Sequence, residues 1–237
     1  HRIPNANPFQ SGIGGPQQGG DPGACTFLSA QSEEEANNVL DELGSRYVIT
    51  DSYISLQAFG AVTTWAEKEF TPFTYYNSMM QRLHIFDGRG FQLTETYAVP
   101  PLKHYRLIHE SPTTTPLREG DMIIKWVKIF EYVKGAKIYG NAQNGSIVSI
   151  STNVTTNQNR SFTYSQMIKS NGSFSFIVPY STEGPIEGET QFDVYAEPYI
   201  LKIGNLVNDT LEWKEEKTIH VNETQVLEGL SINANEI

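Results

Sequence analysis

The sequence predicts an α+β fold in two parts. A mixed α/β, mainly helical unit is expected over residues 1–121, and an all-β, sandwich-like unit over residues 122–237. Two observations support this division. Apolar residues recur with helical spacing in the first half, whereas after about residue 122 they alternate with polar residues between turn signals. No apolar run approaches the roughly 18 residues of a membrane-spanning helix.

The first half opens with a loop and a well-delimited helix. Residues 5–24 are rich in Gly, Pro, Gln and Asn, which is typical of an exposed loop. Ser32 and Glu35 then have the S-x-x-E spacing of a capping box, and Gly44 follows the last apolar residue of the pattern. A helix from about Ser32 to Gly44 is therefore expected.

Five further segments complete the prediction for the first half. A short buried strand is expected at 46–51, a second helix at 52–68 and a third at 74–86. Residues 101–111 alternate enough to form a strand. Residues 112–120 contain two prolines and end in glycine, which favours a connecting loop.

The second half shows the pattern of short strands joined by turns. "GSFSFIVPY" places Phe174, Phe176 and Val178 on one face of a strand, and "QFDVYA" has the same alternation. The turn signals between such strands are Asn144-Gly145, Asn171-Gly172, Gly184-Pro185 and Gly204-Asn205. This spacing is typical of a β-sandwich or a small barrel.

The third helix, "TYYNSMMQRLHIFDG", combines an ordinary apolar stripe with an unusual flank. At 100° per residue one arc contains Tyr76, Met79, Met80, Leu83 and Phe86, as a core-facing helix requires. Asn77 and His84 lie on the flank beside Met80, and Ile85 stands alone on the polar side. The helix pattern by itself favours a core helix with a polar back.

Composition excludes several classes of function. A net charge of −10 and the lack of a basic patch make nucleic acid an improbable partner. Cys25 is the single cysteine, so neither an internal disulfide nor a cysteine metal cluster is possible, and its apolar setting favours a small buried residue. The sequence contains no H-E-x-x-H metal motif and no G-x-S-x-G nucleophile motif. No complete active site is therefore present.

The second half is rich in N-x-S/T triplets. Six begin at Asn144, Asn153, Asn159, Asn171, Asn208 and Asn222, whereas 16 Asn and 38 Ser plus Thr would give about two or three by chance. Asn, Ser, Thr and Gly are also favoured in hairpin turns, which would explain part of the excess. The alternative, of equal weight, is a surface that meets a glycosylation system.

Three stretches carry a resemblance to a known family. "HRIPNANPFQSGIGG" (1–15), "SEEEANNVLDELGSRYVITD" (32–51) and "FEYVKGAKIYGNA" (130–142) resemble the C-terminal extramembrane portion of archaeal oligosaccharyltransferases of the AglB family. The resemblance implies a larger multi-pass membrane enzyme. Its membrane half would carry the catalytic carboxylates and Mn²⁺ or Mg²⁺, and it would transfer a lipid-linked, dolichol-type glycan to the Asn of an N-x-S/T acceptor. These residues would lie on the extracytoplasmic face, inactive alone and with no cofactor of their own.

The same resemblance assigns a role to the third helix. The family carries a short helical motif, D-x-x-K-x-x-x-(M/I), or M-x-x-I in bacterial relatives, beside the site that binds the +2 Ser or Thr of the acceptor. In register it falls on Asn77, Met80 and His84, with Ile85 next, so Asn replaces the acid and Met replaces the lysine. The family's WWDYG segment is not present and would be expected just before His1.

A function of a different class is also compatible with the sequence. A secreted carbohydrate-binding or adhesion module could use the β-unit, with Tyr195, Tyr199 and Trp213 stacking on sugars. Buried aromatic residues of a sandwich core would give the same pattern. In the oligosaccharyltransferase reading the β-unit is structural support.

Overall fold

The computed structural model describes residues 14–16, 20, 22–119, 122–208 and 210–237. Most of the loop predicted at 5–24, and most of the stretch 1–15 that carries part of the family resemblance, lie outside these residues. Within the described part of the chain, no helix is long and apolar enough to cross a membrane.

The chain divides into two compact units. The first comprises the described residues up to Val99 together with Glu110–Tyr132, and the second comprises Pro100–His109 and Val133–Ile237. The boundary predicted at residue 121/122 therefore falls inside the first unit, because the strand that ends at Tyr132 pairs within that unit. The limits of independently folding segments stay a prediction.

The first unit contains short helices and three antiparallel strand pairs. Its helices are α1 (Ala24–Leu28), α2 (Glu33–Leu43), a π-helical segment (Ile54–Ala58), α3 (Phe59–Trp65), α4 (Pro72–Asn77) and α5 (Met79–His84). Its strands are β1 (Tyr47–Asp51), β2 (Phe91–Gln92), β3 (Ala98–Val99), β5 (Thr114–Glu119), β6 (Met122–Lys125) and β7 (Val127–Tyr132). β1 pairs with β7, β2 with β3 and β5 with β6. β4 (Tyr105–Glu110) crosses the division between the units.

The second unit is built from two sheets. Its elements are β8 (Ala136–Asn141), β9 (Ile147–Thr155), β10 (Ser161–Lys169), β11 (Ser173–Val178), β12 (Tyr195–Ala196), β13 (Tyr199–Val207), β14 (Thr210–Ile219), α6 (Glu223–Glu228) and β15 (Ser231–Asn233). One sheet has the order β10-β9-β13-β14 with β12 beside β9, and the other has the order β11-β8-β15. Strands β8 and β10 alternate between buried and exposed residues, as the sequence pattern requires. The α+β class is confirmed.

Several local predictions hold in the first unit. Ser32 caps α2 by accepting a hydrogen bond from the Glu35 backbone N–H, and Gly44 ends the helix in the left-handed conformation with φ 60°. The strand predicted at 46–51 is β1. Cys25 is buried, its Sγ donates to the Gly14 carbonyl, and burial raises the pKa of its thiol.

Two local predictions are wrong. The segment 112–120 is a strand rather than a loop over most of its length, since it forms β5 and pairs with β6. The helix predicted at 74–86 is two short helices separated at Ser78. The helix predicted at 52–68 forms, but it contains the π-helical segment and ends three residues early, at Trp65.

Candidate functional site

Ser78 interrupts the helix that was predicted to carry the site. Its ψ of 151° is extended, and its hydroxyl donates to the Tyr75 carbonyl while accepting from the Gln81 backbone N–H. The next backbone N–H, of Met79, donates to the Ala30 carbonyl at 3.0 Å. Ser78 thus ends α4 and begins α5 at once, and the break redirects α5 into the interior of the unit.

The four predicted site residues lie close together along the chain but are all buried. The exposed fraction is 6% for Asn77, 0% for Met80, 0% for His84 and 3% for Ile85. The expectation that Ile85 stands on a polar, exposed side is wrong, because every residue of α5 is buried and the helix has no solvent-facing side. Whether any of the four contacts an acceptor stays a prediction.

Asn77 is hydrogen-bonded to two other segments of the chain, at Gln31 and at Tyr97. Its Nδ2 donates to the Gln31 carbonyl at 2.9 Å and to Gln31 Oε1 at 3.3 Å. Its Oδ1 accepts from the Tyr97 hydroxyl at 3.2 Å. The amide therefore uses both of its ends inside the unit.

His84 is fully buried beside the charged side chains of Lys128 and Asp87. Its Nδ1 is hydrogen-bonded to the Thr50 hydroxyl at 2.9 Å, and its Nε2 is also buried. Burial, reinforced by the nearby positive charge of Lys128, lowers the pKa of His84 to about 3. The imidazole is therefore neutral at physiological pH, and so low a pKa makes it a poor proton acceptor.

A buried ion pair closes the C-terminal end of α5. Lys128 Nζ donates to the His84 carbonyl at 2.6 Å and to Asp87 Oδ1 at 2.7 Å, and both charged side chains are almost fully buried. A lysine at the last carbonyls of a helix satisfies otherwise free acceptors. Asp87 has a left-handed φ of 57°, a conformation that Asp tolerates better than most residues. This pair was missed from the sequence because Lys128 comes from β7.

Two side-chain hydrogen bonds join the π-helical segment to α5. The Ser55 hydroxyl donates to Gln81 Oε1 at 2.7 Å, and Gln81 Nε2 donates back to the Ser55 carbonyl at 3.0 Å. Asp51 Oδ1 accepts from the Ile54 backbone N–H at 2.9 Å, which caps the start of the segment. π-Helical turns are rare and occur frequently at functional sites.

In contrast to α5, this segment reaches the surface. Tyr53 is 51% exposed, Gln57 is exposed, and Asp51 and Ile54 are half-buried. The stretch from Asp51 to Ala58 also has an acid at the first position of the D-x-x-K-x-x-x-(M/I) spacing, with Ile in place of Lys and Ala in the last place. Asp51, the last residue of β1, thus supplies an acid where the register on Asn77 has none, and the prediction from sequence did not consider this second register.

The described residues contain no metal centre. No group of three or more His, Cys, Asp or Glu side chains in that part of the chain is close enough to hold a metal ion.

The aromatic residues considered for sugar stacking are divided between core and surface of the second unit. Tyr199 is fully buried, its hydroxyl donates to the Tyr180 carbonyl at 3.0 Å, and burial raises the pKa of its phenol. Tyr195 and Trp213 are exposed. Tyr199 is therefore a core residue, which removes one of the three expected stacking platforms.

Two family models match the chain. The model described as "Archaeal glycosylation protein B long peripheral domain" matches residues 135–232, and the "AglB core domain" model matches residues 1–55. Together they cover nearly two thirds of the chain.

Curated relatives are archaeal glycotransferases. The chain is 28% identical to dolichyl-phosphooligosaccharide-protein glycotransferase 3 of Archaeoglobus fulgidus, covering 97% of this chain and 35% of the relative. It is 24% identical to dolichyl-monophosphooligosaccharide–protein glycotransferase AglB of Haloferax volcanii, covering 82% of this chain and 29% of the relative. The chain thus spans about a third of the length of these relatives.

Solved structures agree in fold. The oligosaccharyltransferase of A. fulgidus in complex with Zn and sulfate matches 98% of this chain and 38% of its own, with a TM-score of 0.74 and 25% identity. The same enzyme tethered to an acceptor peptide containing an NVT sequon matches equally well in fold, with a TM-score of 0.74. From the family models, the curated relatives and this fold we conclude that the chain belongs to the AglB family of archaeal oligosaccharyltransferases.

Proposed function

We propose that the chain is the C-terminal extramembrane portion of an oligosaccharyltransferase that transfers a glycan from a lipid-linked, dolichol-type donor to the Asn of N-x-S/T acceptors. The observation that carries this proposal is the agreement in fold, over 98% of the chain, with the A. fulgidus enzyme. That enzyme has also been solved with an NVT acceptor peptide and with dolichol-phosphate. The chain would act on the extracytoplasmic face of the membrane, joined to a membrane-embedded half.

In this proposal the chemistry takes place outside these residues. The divalent ion, Mn²⁺ or Mg²⁺, would be held by the membrane-embedded half, and the described residues bring together no group of three or more possible metal ligands. The His84 imidazole is equally unsuited to proton transfer, since its pKa is lowered to about 3. The role left to this portion is to bind and position the acceptor polypeptide.

Two elements are candidates for contact with the +2 Ser or Thr. The first is α5 with Met80, flanked by Asn77, His84 and Ile85, as the sequence predicts. Because Met80 is fully buried, this contact would require α5 to become exposed when the acceptor binds.

The second candidate is the surface of the π-helical segment. Ile54 is half-buried and offers an apolar group at the surface, next to the Asp51 carboxylate that caps the segment. A threonine methyl packed against such a side chain gains about 1 kcal/mol, on the order of 25 cal/mol per Å² of apolar surface. The exposure of this segment favours it over α5.

The proposal is tested by glycan transfer in vitro. Membranes containing the full-length protein are expected to convert an N-x-T peptide to glycopeptide when given a lipid-linked glycan and Mn²⁺, and to leave the matched Q-x-T peptide unchanged. The isolated 237-residue chain is expected to form no glycopeptide under the same conditions. Failure of the full-length protein, or turnover by the isolated chain, would contradict the proposal.

A further inference from the structure

The second unit carries an unexplained concentration of N-x-S/T triplets. All six triplets of the chain lie in this unit, and five of them consist entirely of described residues. The sixth, at Asn208, contains a residue outside the described ranges and is left aside. In each of the five, the asparagine is exposed.

Local backbone requirements account for the asparagines but not for the hydroxyl two residues later. Asn171-Gly172 joins β10 to β11, and Gly172 has a φ of 108°, so this turn between the two sheets needs the glycine. Asn159 adopts a left-handed φ of 56° in the turn from β9 to β10. Asn222 caps α6. None of these three roles uses the Ser or Thr at the +2 position.

In two of the five triplets, a hydrogen bond engages a buried +2 hydroxyl or the asparagine amide nitrogen. The Ser146 hydroxyl, two residues after Asn144, is buried and hydrogen-bonded to the Asn205 amide at 2.8 Å. Asn153 lies within β9, and its Nδ2 donates to Glu197 Oε2 at 3.1 Å. A glycan on Asn153 would replace one of the two hydrogens on the Nδ2 that makes this contact.

The other three triplets present both groups that modification needs. Asn222 uses Oδ1 to accept from the Gln225 backbone N–H at 2.8 Å, which leaves Nδ2 available, and Thr224 is exposed. Ser173 is exposed and donates to Asn171 Oδ1 at 3.4 Å, again sparing Nδ2. Asn159 and its +2 residue, Ser161, are both exposed, and the Ser161 hydroxyl shares a surface hydrogen bond with Thr155 Oγ1 at 3.2 Å. An N-linked sugar replaces a hydrogen on Nδ2, so the helix cap at Asn222 and the contact at Asn171 survive it.

We propose that the second unit is itself N-glycosylated, at Asn159, Asn171 and Asn222. Nδ2 of each asparagine attacks the anomeric carbon of a glycan attached to a lipid phosphate. The new N–C bond forms as the bond from that carbon to the phosphate oxygen breaks; the lipid phosphate leaves with the electron pair, and the amide proton passes to solvent. The inference requires only that the unit meets an N-glycosylation enzyme, which the full-length protein or another copy of it can supply.

The test is glycopeptide mapping of the full-length protein purified from archaeal membranes. Peptides containing Asn159, Asn171 and Asn222 are expected at a mass increased by one glycan each. Thr224→Val should return the Asn222 peptide to its unmodified mass, whereas the matched Thr224→Ser variant, which keeps a hydroxyl at +2, should retain the glycan. Glycan on at least one of the three, with that response at its +2 residue, supports the proposal.

Unmodified peptides at all three positions, or glycan confined to Asn144 or Asn153, would overturn it. An assay of the same membranes with an N-x-T peptide separates this result from the proposed function. If the membranes glycosylate the peptide but the second unit carries no glycan, only the proposed modification of the second unit is refuted. Glycan on the second unit without peptide transfer refutes the proposed function and assigns the modification to another enzyme.

Discussion

The buried His84 predicts a specific loss of stability in mild acid. In the folded chain burial and Lys128 lower its pKa to about 3, whereas an unfolded histidine has a pKa of about 6.5. Between these values the unfolded state binds a proton that the folded state does not. The free energy of unfolding therefore falls as the pH is lowered from about 6.5 towards 3, and the contribution is fully present above 6.5.

The size of the effect follows from linkage. Each pH unit in this window changes the free energy of unfolding by about 1.4 kcal/mol for one proton. Lowering the pH from 7.5 to 5.0 crosses about 1.5 units of the window and should cost about 2 kcal/mol through His84 alone. Urea unfolding followed by tryptophan fluorescence suits the measurement, since Trp65 and Trp126 lie in the same unit as His84.

His84→Gln supplies the comparison, because its amide can bond with the Thr50 hydroxyl but does not titrate. The variant should lose about 2 kcal/mol less than wild type between pH 7.5 and 5.0. His220→Gln, which alters an exposed histidine, should retain the wild-type pH dependence. Identical pH dependence in wild type and His84→Gln, or an imidazole NMR resonance of His84 titrating near its ordinary value, would refute the reasoning.

Three further results are expected. Asp87→Asn removes the carboxylate charge beside the buried Lys128 ammonium and should lower the free energy of unfolding by about 3–5 kcal/mol, and adding Lys128→Met should recover part of that loss in urea titrations. Met80→Ala should lower stability by about 2–5 kcal/mol, since the side chain is fully buried; a melting temperature equal to wild type would contradict its burial. A fragment of residues 100–237 should give a better dispersed NMR spectrum than residues 122–237, which lacks part of the second unit; equal spectra would show that the missing strand is dispensable.

Much of the local structure could be predicted where its cause is local. The helix from Glu33 to Leu43 has its cap, apolar face and terminating glycine within one stretch of sequence, and it forms as expected. The alternation of β8 and β10 likewise reports directly which face each residue occupies. Such patterns depend on neighbours a few residues away.

The candidate site was harder to predict because its determinants are distant in sequence. The break at Ser78 is stabilised by a hydrogen bond from Met79 to Ala30, and helical periodicity carries no information on that contact. Helical periodicity places Ile85 on the polar face, yet Ile85 is buried because the rest of the unit covers every side of α5. Lys128, whose charge helps keep His84 neutral, lies 44 residues further along the chain.

The most direct test of the central claim, that this portion of the enzyme recognises the +2 residue of the acceptor, is the ratio of kcat/KM for N-x-T over N-x-S peptides in the full-length enzyme. Ile54→Ala should lower this ratio several-fold, corresponding to about 1 kcal/mol for one methyl group in an apolar contact. Val62→Ala, a truncation of a half-buried side chain on α3, is the matched control and should leave the ratio unchanged. A reduced ratio in Met80→Ala instead would place the contact on α5. An unchanged ratio in both Ile54→Ala and Met80→Ala would contradict acceptor recognition by this portion of the enzyme.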